Sequence, residues 1–583
     1  MRVPEEAFFP AMDGTRLFYR HWPAANPTGK AIVLLHRGHE HSGRFQHVVD
    51  ELDLPTFDMF AWDARGHGRS YDPASTDSPN LGVLVKDLDT FVKHVAEAHG
   101  IAVKNVAVVS QSVGSVLAAA WVHDFAPKIR SMVMASPAFA VKLYVPLARL
   151  GLSVMHALFG NFHVNSYVKA KALTHDPERI ASYETDPLIR RPISVKLLLG
   201  LFDAGDRLVA DAAAIQVPTQ VLISGSDWVV QHKPQHDFFD RLGSAVKEKH
   251  FFNGFFHDTL GEKDRKQAID KVREFLVKTF TSTEAAPSLA DADRKGFTKD
   301  EFDRLQQPLP LLSPKGWSFG LTKLGMKTGG RLSRGIRLGL ETGFDSGSTL
   351  DYIYRNEPKG FTPIGTLIDW FYLNAIGWRG IRIRKQNLEA LLRRSIELLS
   401  QASQPVRITD IAAGHGRYVL DAIKGRTQAV ESVLFRDYSD TNVQQGKELI
   451  RRHGLNGNIR FEKGDAFDRA SVAAIDPKPT LCVVSGLYEL FPDNDLLRKS
   501  LGGLADAMER GGYLVYTGQP WHPQLEMIAR TLPSHRDGAP WVMRRRAQAE
   551  LDQLVEAAGF QKVDQLADEW GIFTVSLARR SGG

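Results

Sequence analysis

Short apolar runs recur through the first 280 residues or so, each closing on small or polar residues: AIVLLHRG, FDMFAWDARG, VAVVSQS, SMVMASP and TQVLISGSD. Their length and β-branched content predict buried strands. Between them lie helical periodicities such as LGVLVKDLDTFVKHVAEAHG. Strands alternating with helices predict a parallel sheet covered on both faces. In such a sheet chemistry gathers at the carboxyl ends of the strands, which is where the polar residues stand.

The pattern breaks at about 281–345. TSTEAAPSLADADRKG is rich in Ser, Ala and Asp, and QQPLPLLSPKG in Pro, which predicts a linker. KGWSFGLTKLGMKTGGRLSRGIRLGL follows, with no acid between Lys315 and Glu341. There Arg331, Arg334 and Arg337 recur at helical spacing after Lys323 and Lys327, with Leu332, Ile336 and Leu340 on another face. A second alternating region occupies 346–583. It has an amphipathic helix (RKQNLEALLRRSIELLSQ) and strand-like VRITDIAAG, ESVLFRDYS, IRFEKGD, PTLCVVSGLYELF and GGYLVYTGQ. FQKVDQLADEWGIFTVSLARR closes it as two strands around a turn.

Composition narrows the class. With 583 residues, the chain holds about two to four domains. Hydrophobic content of 43% and charged content of 24% are those of a soluble globular protein. The one cysteine, Cys482, excludes an internal disulfide framework and an all-cysteine zinc site, and fits a reducing compartment. The acidic start is not that of a secretory signal, and no apolar run is long enough to span a bilayer, so the expected location is cytoplasmic. A net charge of +6 permits an anionic partner. The basic stretch would suit peripheral contact with an anionic membrane. Its glycines make it a poor isolated helix, and the competing reading is a basic cover packed on the second half. No nucleic-acid recognition module is apparent.

VAVVSQSVGSVLAAA carries three serines between an apolar run and an Ala-rich run. A nucleophile elbow needs small residues two before and two after the nucleophile. Ser110 and Gly114 meet that requirement, which selects Ser112. Val113 then follows at a helix N-terminus, where its N–H can stabilise an oxyanion. A serine nucleophile needs a base, and the base an orienting acid. Asp227, at the end of TQVLISGSD, and His257, in KHFFNGFFHDTLG, stand in α/β-hydrolase order. His36, His39 and His41 are compactly spaced, but no carboxylate completes a metal site, and no metal is expected.

LLHRGHEHSGRF resembles the H-G-x-G-E-H-S-G-R-Y loop of monoacylglycerol lipases and related serine aminopeptidase-like hydrolases. WDARGHGRS resembles their W-D-x-R-G-H-G-x-S stretch, and THDPERIASYETDPLI their cap. The resemblance covers about residues 8–280. It implies an α/β-hydrolase fold with a helical cap at about 138–205 and carries Ser112, Asp227 and His257 over as the triad. It makes Gly38 the second oxyanion donor beside Val113. Arg37 and His39 depart from it, each replacing a loop glycine.

In the second region VRITDIAAGHGRYVLDAI puts small residues between a strand and a helix, a turn that lets backbone approach a nucleotide-like ligand. Three acids form a ladder with it. Asp410 ends the first strand, Asp437 the next, roughly 20 residues past the glycines, and Asp465 the third. The ladder resembles class I S-adenosylmethionine-dependent methyltransferases, whose D/E-x-G-x-G-x-G reads here with Ala412 first and Gly414 and Gly416 retained. The resemblance covers about 346–583. It implies a Rossmann-like fold with an antiparallel final strand and S-adenosyl-L-methionine as cofactor. Asp437 would take the ribose hydroxyls and Asp465 the adenine amino group. Tyr488, Glu489, Trp521 and His522 lie toward the expected acceptor side. A nicotinamide dinucleotide domain is the competing reading, opposed by the closing strand pair and the acid ladder.

The sequence thus reads as an α/β fusion: a hydrolase domain at 1–280, a linker and basic segment at 281–345, and a methyltransferase domain at 346–583. The expected substrates are an ester of the monoacylglycerol or lysophospholipid class and an unidentified methyl acceptor. The alternatives are a hydrolase with a non-catalytic cofactor-binding rear domain, or a non-catalytic lipid-binding scaffold.

Overall fold

Ten strands are placed by the first half: β1 (Glu5–Pro10), β2 (Arg16–Trp22), β3 (Lys30–Leu35), β4 (Phe57–Trp62), β5 (Val106–Gln111), β6 (Ser131–Ala135), β7 (His163–Asn165), β8 (Pro192–Ser194), β9 (Thr219–Ser224) and β10 (Lys247–Phe252). The structure, a computed structural model, describes residues 1–74, 78–282, 287–310, 312–455 and 457–581. It divides into two units, Met1–Pro287 and Ser288–Gly583.

The main sheet of the first unit runs β1-β2-β4-β3-β5-β6-β9-β10. From β4 to β10 every pairing is parallel, while β1 and β2 join antiparallel at one edge. Helices cover both faces, so β5 and β6 are buried at every position and read as mostly apolar runs, with Ser110, Gln111 and Ser131 at their ends. Helix Val113–Phe125 follows β5 directly, which sets the Ser112 turn at the carboxyl end of a central strand. Between β6 and β9 the chain forms helices Ala148–Phe159, Pro177–Thr185 and Val195–Ala210 and the hairpin β7–β8. This insertion includes the segment read as the cap.

The second unit is built on β11 (Arg407–Asp410), β12 (Ser432–Asp437), β13 (Ile459–Lys463), β14 (Leu481–Val484), β15 (Tyr513–Gly518), β16 (Phe560–Ala567) and β17 (Thr574–Arg580). Their order is β13-β12-β11-β14-β15-β17-β16, with β17 antiparallel to both neighbours. This is a Rossmann-like methyltransferase sheet. Its order reverses between β11 and β14, which opens a crevice at their carboxyl ends. Cys482 lies inside β14, fully buried and free.

The linker expectation at 281–345 is corrected. From Ser288 the chain belongs to the second unit, and Phe297–Gln306, Pro314–Gly329 and Arg334–Thr342 are helices. The reason is a buried polar anchor. Arg544 donates to Glu550 (2.6 Å), to Asn494 (2.8 Å), to Thr298 Oγ1 (3.0 Å) and to the Ala292 carbonyl (3.3 Å). Asn494 donates to Asp293 and to the Ala290 carbonyl. A Ser/Ala/Asp-rich stretch that looks like a tether is therefore strapped down by side chains some 200 residues away. The helical register read for the arginines also fails. Helix Pro314–Gly329 ends before Arg331, and Ser333 caps a new helix by accepting from the Ile336 N–H at 3.1 Å. Arg334 and Arg337 share that helix and Arg331 does not.

The anchor predicts a large local effect. Arg544→Ala leaves Glu550 buried without its main counter-charge, which costs about 3–5 kcal/mol. Urea denaturation followed by proteolysis of the second unit should show that loss, while the first unit's transition stays in place.

Candidate functional site

The Ser112 turn is built by crowding. Ser112 holds φ +55°, ψ −116°, a conformation an L-residue adopts only under constraint. Its N–H donates to the Ala135 carbonyl (2.9 Å) and its own carbonyl accepts from Ala138 N–H (3.2 Å). A Cβ at Gly114 would stand 2.6 Å from the His36 carbonyl oxygen and 2.7 Å from that of Leu35, so only glycine fits there. Ser110 is fully buried and donates to the Val133 carbonyl at 2.8 Å, so a hydroxymethyl group is accommodated at the other small position.

The structure brings Ser112, His257 and Asp227 together. His257 Nε2 lies 2.7 Å from Ser112 Oγ, and His257 Nδ1 lies 2.8 Å from Asp227 Oδ2. The carboxylate accepts from Nδ1–H, which leaves the Nε2 lone pair facing the serine hydroxyl. Asp227 Oδ1 accepts from the N–H groups of Val229 (2.7 Å) and Val230 (3.0 Å). Burial opposes the ionised carboxylate, but His257 and these two amides outweigh it and hold Asp227 below the usual carboxylate range. All three side chains are almost wholly buried.

Gly38 and Val113 meet beside the serine: a Cβ on Gly38 would lie 3.4 Å from Val113 Cγ2. Among the described residues, neither backbone N–H has a protein acceptor. The two departures in the Gly38 loop have specific partners. Arg37 is buried and forks onto Glu40 through two bonds of 2.7 Å, with Asp258 at 3.2 Å. His39 takes the left-handed conformation (φ +71°) that suits the glycine it replaces. It is held there by donating from Nδ1 to the Arg190 carbonyl (2.8 Å) while its own carbonyl accepts from Arg190 N–H (3.2 Å). The other loop histidines are also engaged. His36 donates to the Arg37 carbonyl and accepts from Ala64 N–H, and His41 pairs with Asp186. Among the described residues no cluster of His, Cys, Asp or Glu is placed to hold a metal ion.

Ser112 and His257 open onto a cavity of about 590 Å³ whose walls include Val141, Leu143, Val145, Leu152 and Met155. These residues were not singled out in the sequence. For Leu152 and Met155 the signal was the apolar spacing of LGLSVMHALF, which reads equally well as core; Val141, Leu143 and Val145 precede that stretch.

In the second unit Asp410 ends β11 fully buried. Its Oδ2 accepts from the Tyr418 hydroxyl at 2.7 Å, and its Oδ1 has no partner. Burial pushes its carboxyl up to about 7. Gly414 and Gly416 both take left-handed φ (+56° and +76°), and a Cβ on Gly416 would strike the Phe435 ring at 2.7 Å. Asp437 secures this turn. Its Oδ2 accepts from Gly414 N–H (2.9 Å), and its Oδ1 accepts from Ser439 N–H (2.9 Å) and Asn442 Nδ2 (3.0 Å). These occupy three of its roughly four acceptor positions. Ala412 lines the small hollow over the turn, together with Gly414, Gly416 and Ser485. Asp465 is exposed beyond β13 and accepts from Phe467 N–H at 2.8 Å. Of the acceptor-side residues, Tyr488 is a core side chain bonded to Ser500, whereas Glu489 and His522 line a cavity together.

Comparison with known proteins agrees with this division. Residues 26–264 match the family "Serine aminopeptidase, S33", and residues 272–580 match the family "Putative methyltransferase". The second match begins well before the glycine turn and includes the strapped segment. The chain is 53% identical over 581 residues to "Uncharacterized protein YnbC" of Escherichia coli (strain K12), covering 99% of each. It is 26% identical to a monoacylglycerol lipase of Mycolicibacterium smegmatis, over 47% of this chain and 96% of that protein. The crystal structure of the Paleococcus ferrophilus monoacylglycerol lipase aligns at 22% identity and a TM-score of 0.41, over 45% of this chain and 99% of that one. The chain belongs to the "Putative methyltransferase" family, whose model matches just over half of it, and its first unit matches the "Serine aminopeptidase, S33" family.

Proposed function

We propose that the first unit is a serine ester hydrolase acting on a lipid-like ester of the monoacylglycerol or lysophospholipid class. The observation that carries this reading is the hydrogen-bonded chain Ser112–His257–Asp227 at the wall of an apolar cavity. Ser112 Oγ attacks the ester carbonyl while its proton passes to His257 Nε2. The carbonyl oxygen becomes an oxyanion between the N–H groups of Val113 and Gly38. Collapse expels the alcohol, which takes the proton back from His257. Water then repeats the sequence and releases the acid, regenerating Ser112. Asp227 keeps the ring oriented and stabilises its protonated form. The lipid-like substrate is supported by the cavity walls and by helix Ala148–Phe159, which exposes Leu150, Val154, Leu158 and Phe159.

The second unit is read as an S-adenosyl-L-methionine-dependent methyltransferase. The residues fit that cofactor: Asp410 offers a buried acceptor without a partner, the turn closes on two left-handed glycines, and Asp437 stands at the next strand end. When bound, the cofactor supplies an electrophilic methyl group on a positively charged sulfur. Asp410 would accept from its ammonium group, Asp437 would use its remaining acceptor position for ribose, and Asp465 would face the base. Peripheral contact with an anionic membrane is supported by helix Pro314–Gly329. It exposes Trp317, Leu321 and Leu324 and carries Lys323 and Lys327. Among the described residues no helix is long and apolar enough to cross a membrane.

Three measurements test these readings. A fluorophosphonate probe should label the native chain and leave Ser112→Ala unlabelled; equal labelling of the two removes Ser112 as nucleophile. For the cofactor, the sign follows from Asp410. Its raised pKa favours the neutral acid, so the ligand-free unit loses stability as pH rises through about 7. An ammonium group bound to the ionised acid offsets that loss. Calorimetry should therefore give an affinity for S-adenosylmethionine that climbs from pH 6 to pH 8, with Asp410→Asn weaker and flat; a native affinity independent of pH rejects the contact. Finally, sedimentation with vesicles containing phosphatidylglycerol should exceed that with phosphatidylcholine alone, and should drop with salt and in Trp317→Ser/Leu321→Ser.

A further inference from the structure

A cavity of about 380 Å³ in the second unit has no role in the chemistry above. Its walls are largely apolar and aromatic, with Phe371, Trp378, Ile381, Met527, Trp541 and Phe573 among them. Its polar part includes Arg384, Glu489, Gln519 and His522, together with Asp345, whose carboxylate is taken up by the Ser534 hydroxyl and the His535 N–H. Arg384 also lines the hollow over the glycine turn, so the polar part adjoins the cofactor crevice.

Buried polar atoms without partners concentrate here. Arg384 Nε, Gln519 Nε2, Trp541 Nε1, Tyr372 Oη and Glu489 Oε2 all lack a hydrogen bond while the residues carrying them line the same cavity. Folded proteins leave few such groups, and a cluster of them around a cavity marks a place where a ligand completes the bonding. Arg384 and Glu489 are 4% and 6% exposed as side chains.

The chemistry of the orphans describes the ligand. Arg384, Gln519 and Trp541 are donors, and Tyr372 can be one. His522 adds another: its Nδ1 accepts from Gln524 N–H at 3.0 Å, and burial lowers its pKa to about 4, so the neutral ring carries its proton on Nε2. Glu489 is the one obligate acceptor in this set. A ligand rich in acceptors satisfies such a group, and an anion satisfies it best. Arg384 Nη1 lies 3.9 Å from Glu489 Oε1, so the pair is close to neutral by itself. An anionic ligand would bring its own counter-charge to the positive sulfur of the cofactor. The rest of the ligand must be apolar, to match the aromatic walls. At the outer wall Phe371 is 63% exposed, beside exposed Ile364 and Leu367 on helix Pro363–Leu373.

We propose that this cavity is the methyl-acceptor site and that it takes a long-chain carboxylic acid, with the carboxylate on Arg384 and Gln519 and the hydrocarbon chain along the aromatic walls. This rests on the cofactor reading above. The transfer makes one oxygen–carbon bond and breaks the methyl–sulfur bond with both electrons staying on sulfur. The acid enters ionised, so no proton is released and no base is required; the product is a methyl ester. An ester hydrolase is the class of reaction that supplies such an acid, and the first unit is read as one.

Full-length Ser112→Ala is titrated with dodecanoate, dodecanol and dodecylamine by calorimetry, in the presence of S-adenosylhomocysteine. Dodecanoate should bind at least about 10-fold more tightly than dodecanol, one hydrogen-bonded ion pair's worth. Arg384→Met should bring that ratio close to one, which separates this cavity from the apolar cavity of the first unit. Gln519→Leu is the second variant, expected to lower the ratio by a smaller factor should Arg384→Met fail to fold. With S-adenosylmethionine supplied, mass spectrometry should detect methyl dodecanoate. A carboxylate preference unmoved in both variants, a preference for the alcohol or the amine, or absence of the methyl ester overturns the proposal. If S-adenosylmethionine itself fails to bind the native chain, the cofactor reading fails first, and calorimetry with that compound alone distinguishes the two failures.

Discussion

Both sites depend on one constraint, the tight passage from the carboxyl end of a buried parallel strand into a helix. In the first unit the turn after β5 runs so close to the end of β3 that the carbonyl oxygens of Leu35 and His36 exclude any side chain at Gly114. In the second, the turn after β11 runs against Phe435 of β12, which excludes a side chain at Gly416. Crowding of this kind forces backbone into left-handed or otherwise strained conformations and points N–H groups into the crevice. The same geometry gives a raised serine in one unit and an open backbone cradle in the other.

Around each turn a buried carboxylate does the positioning. Asp227 fixes the ring of His257 and is itself fixed by two amides. Asp437 fixes the Gly414 turn through the Gly414 N–H. Each lowers the freedom of the group it holds, so that ordering does not wait for a ligand. Asp410 is different. It is buried with one oxygen unsatisfied, and burial favours its neutral form.

The two substitutions in the Gly38 loop illustrate how a departure from a family pattern is absorbed. Arg37 brings a charge into the buried loop that carries Gly38. Its guanidinium turns to Glu40 and Asp258, which pair with it at hydrogen-bond distance. His39 occupies a conformation that costs a non-glycine residue of order 1–3 kcal/mol, and two hydrogen bonds to the Arg190 backbone offset it. Through those bonds the loop is tied to the chain that leads into β8 of the cap insertion.

The sequence alone carried whatever depends on local pattern. Five apolar runs in the first unit were legible as strands because parallel strands covered on both faces are predominantly apolar, and the closing pair of the second unit was legible from two β-rich runs around a turn. Ser112 was legible because Gly114 and the small Ser110 bracket it; Asp227 and His257 were legible from their order after it. Long-range decisions were hidden. The segment from Ser288 looked like a tether because its own residues are small and polar, and only Arg544 and Asn494, far along the chain, make it structure. Arg331 was assigned to a helix by spacing, but a cap at Ser333 is decided by which hydroxyl finds an N–H. The cavity's polar residues Arg384, Glu489 and the pair Gln519 and His522 come from three separate segments, and no periodicity connects them. Sequence pattern reports which face of an element is apolar. Which faces converge, and which buried polar atoms are left without partners when they do, is fixed only once the whole chain is packed.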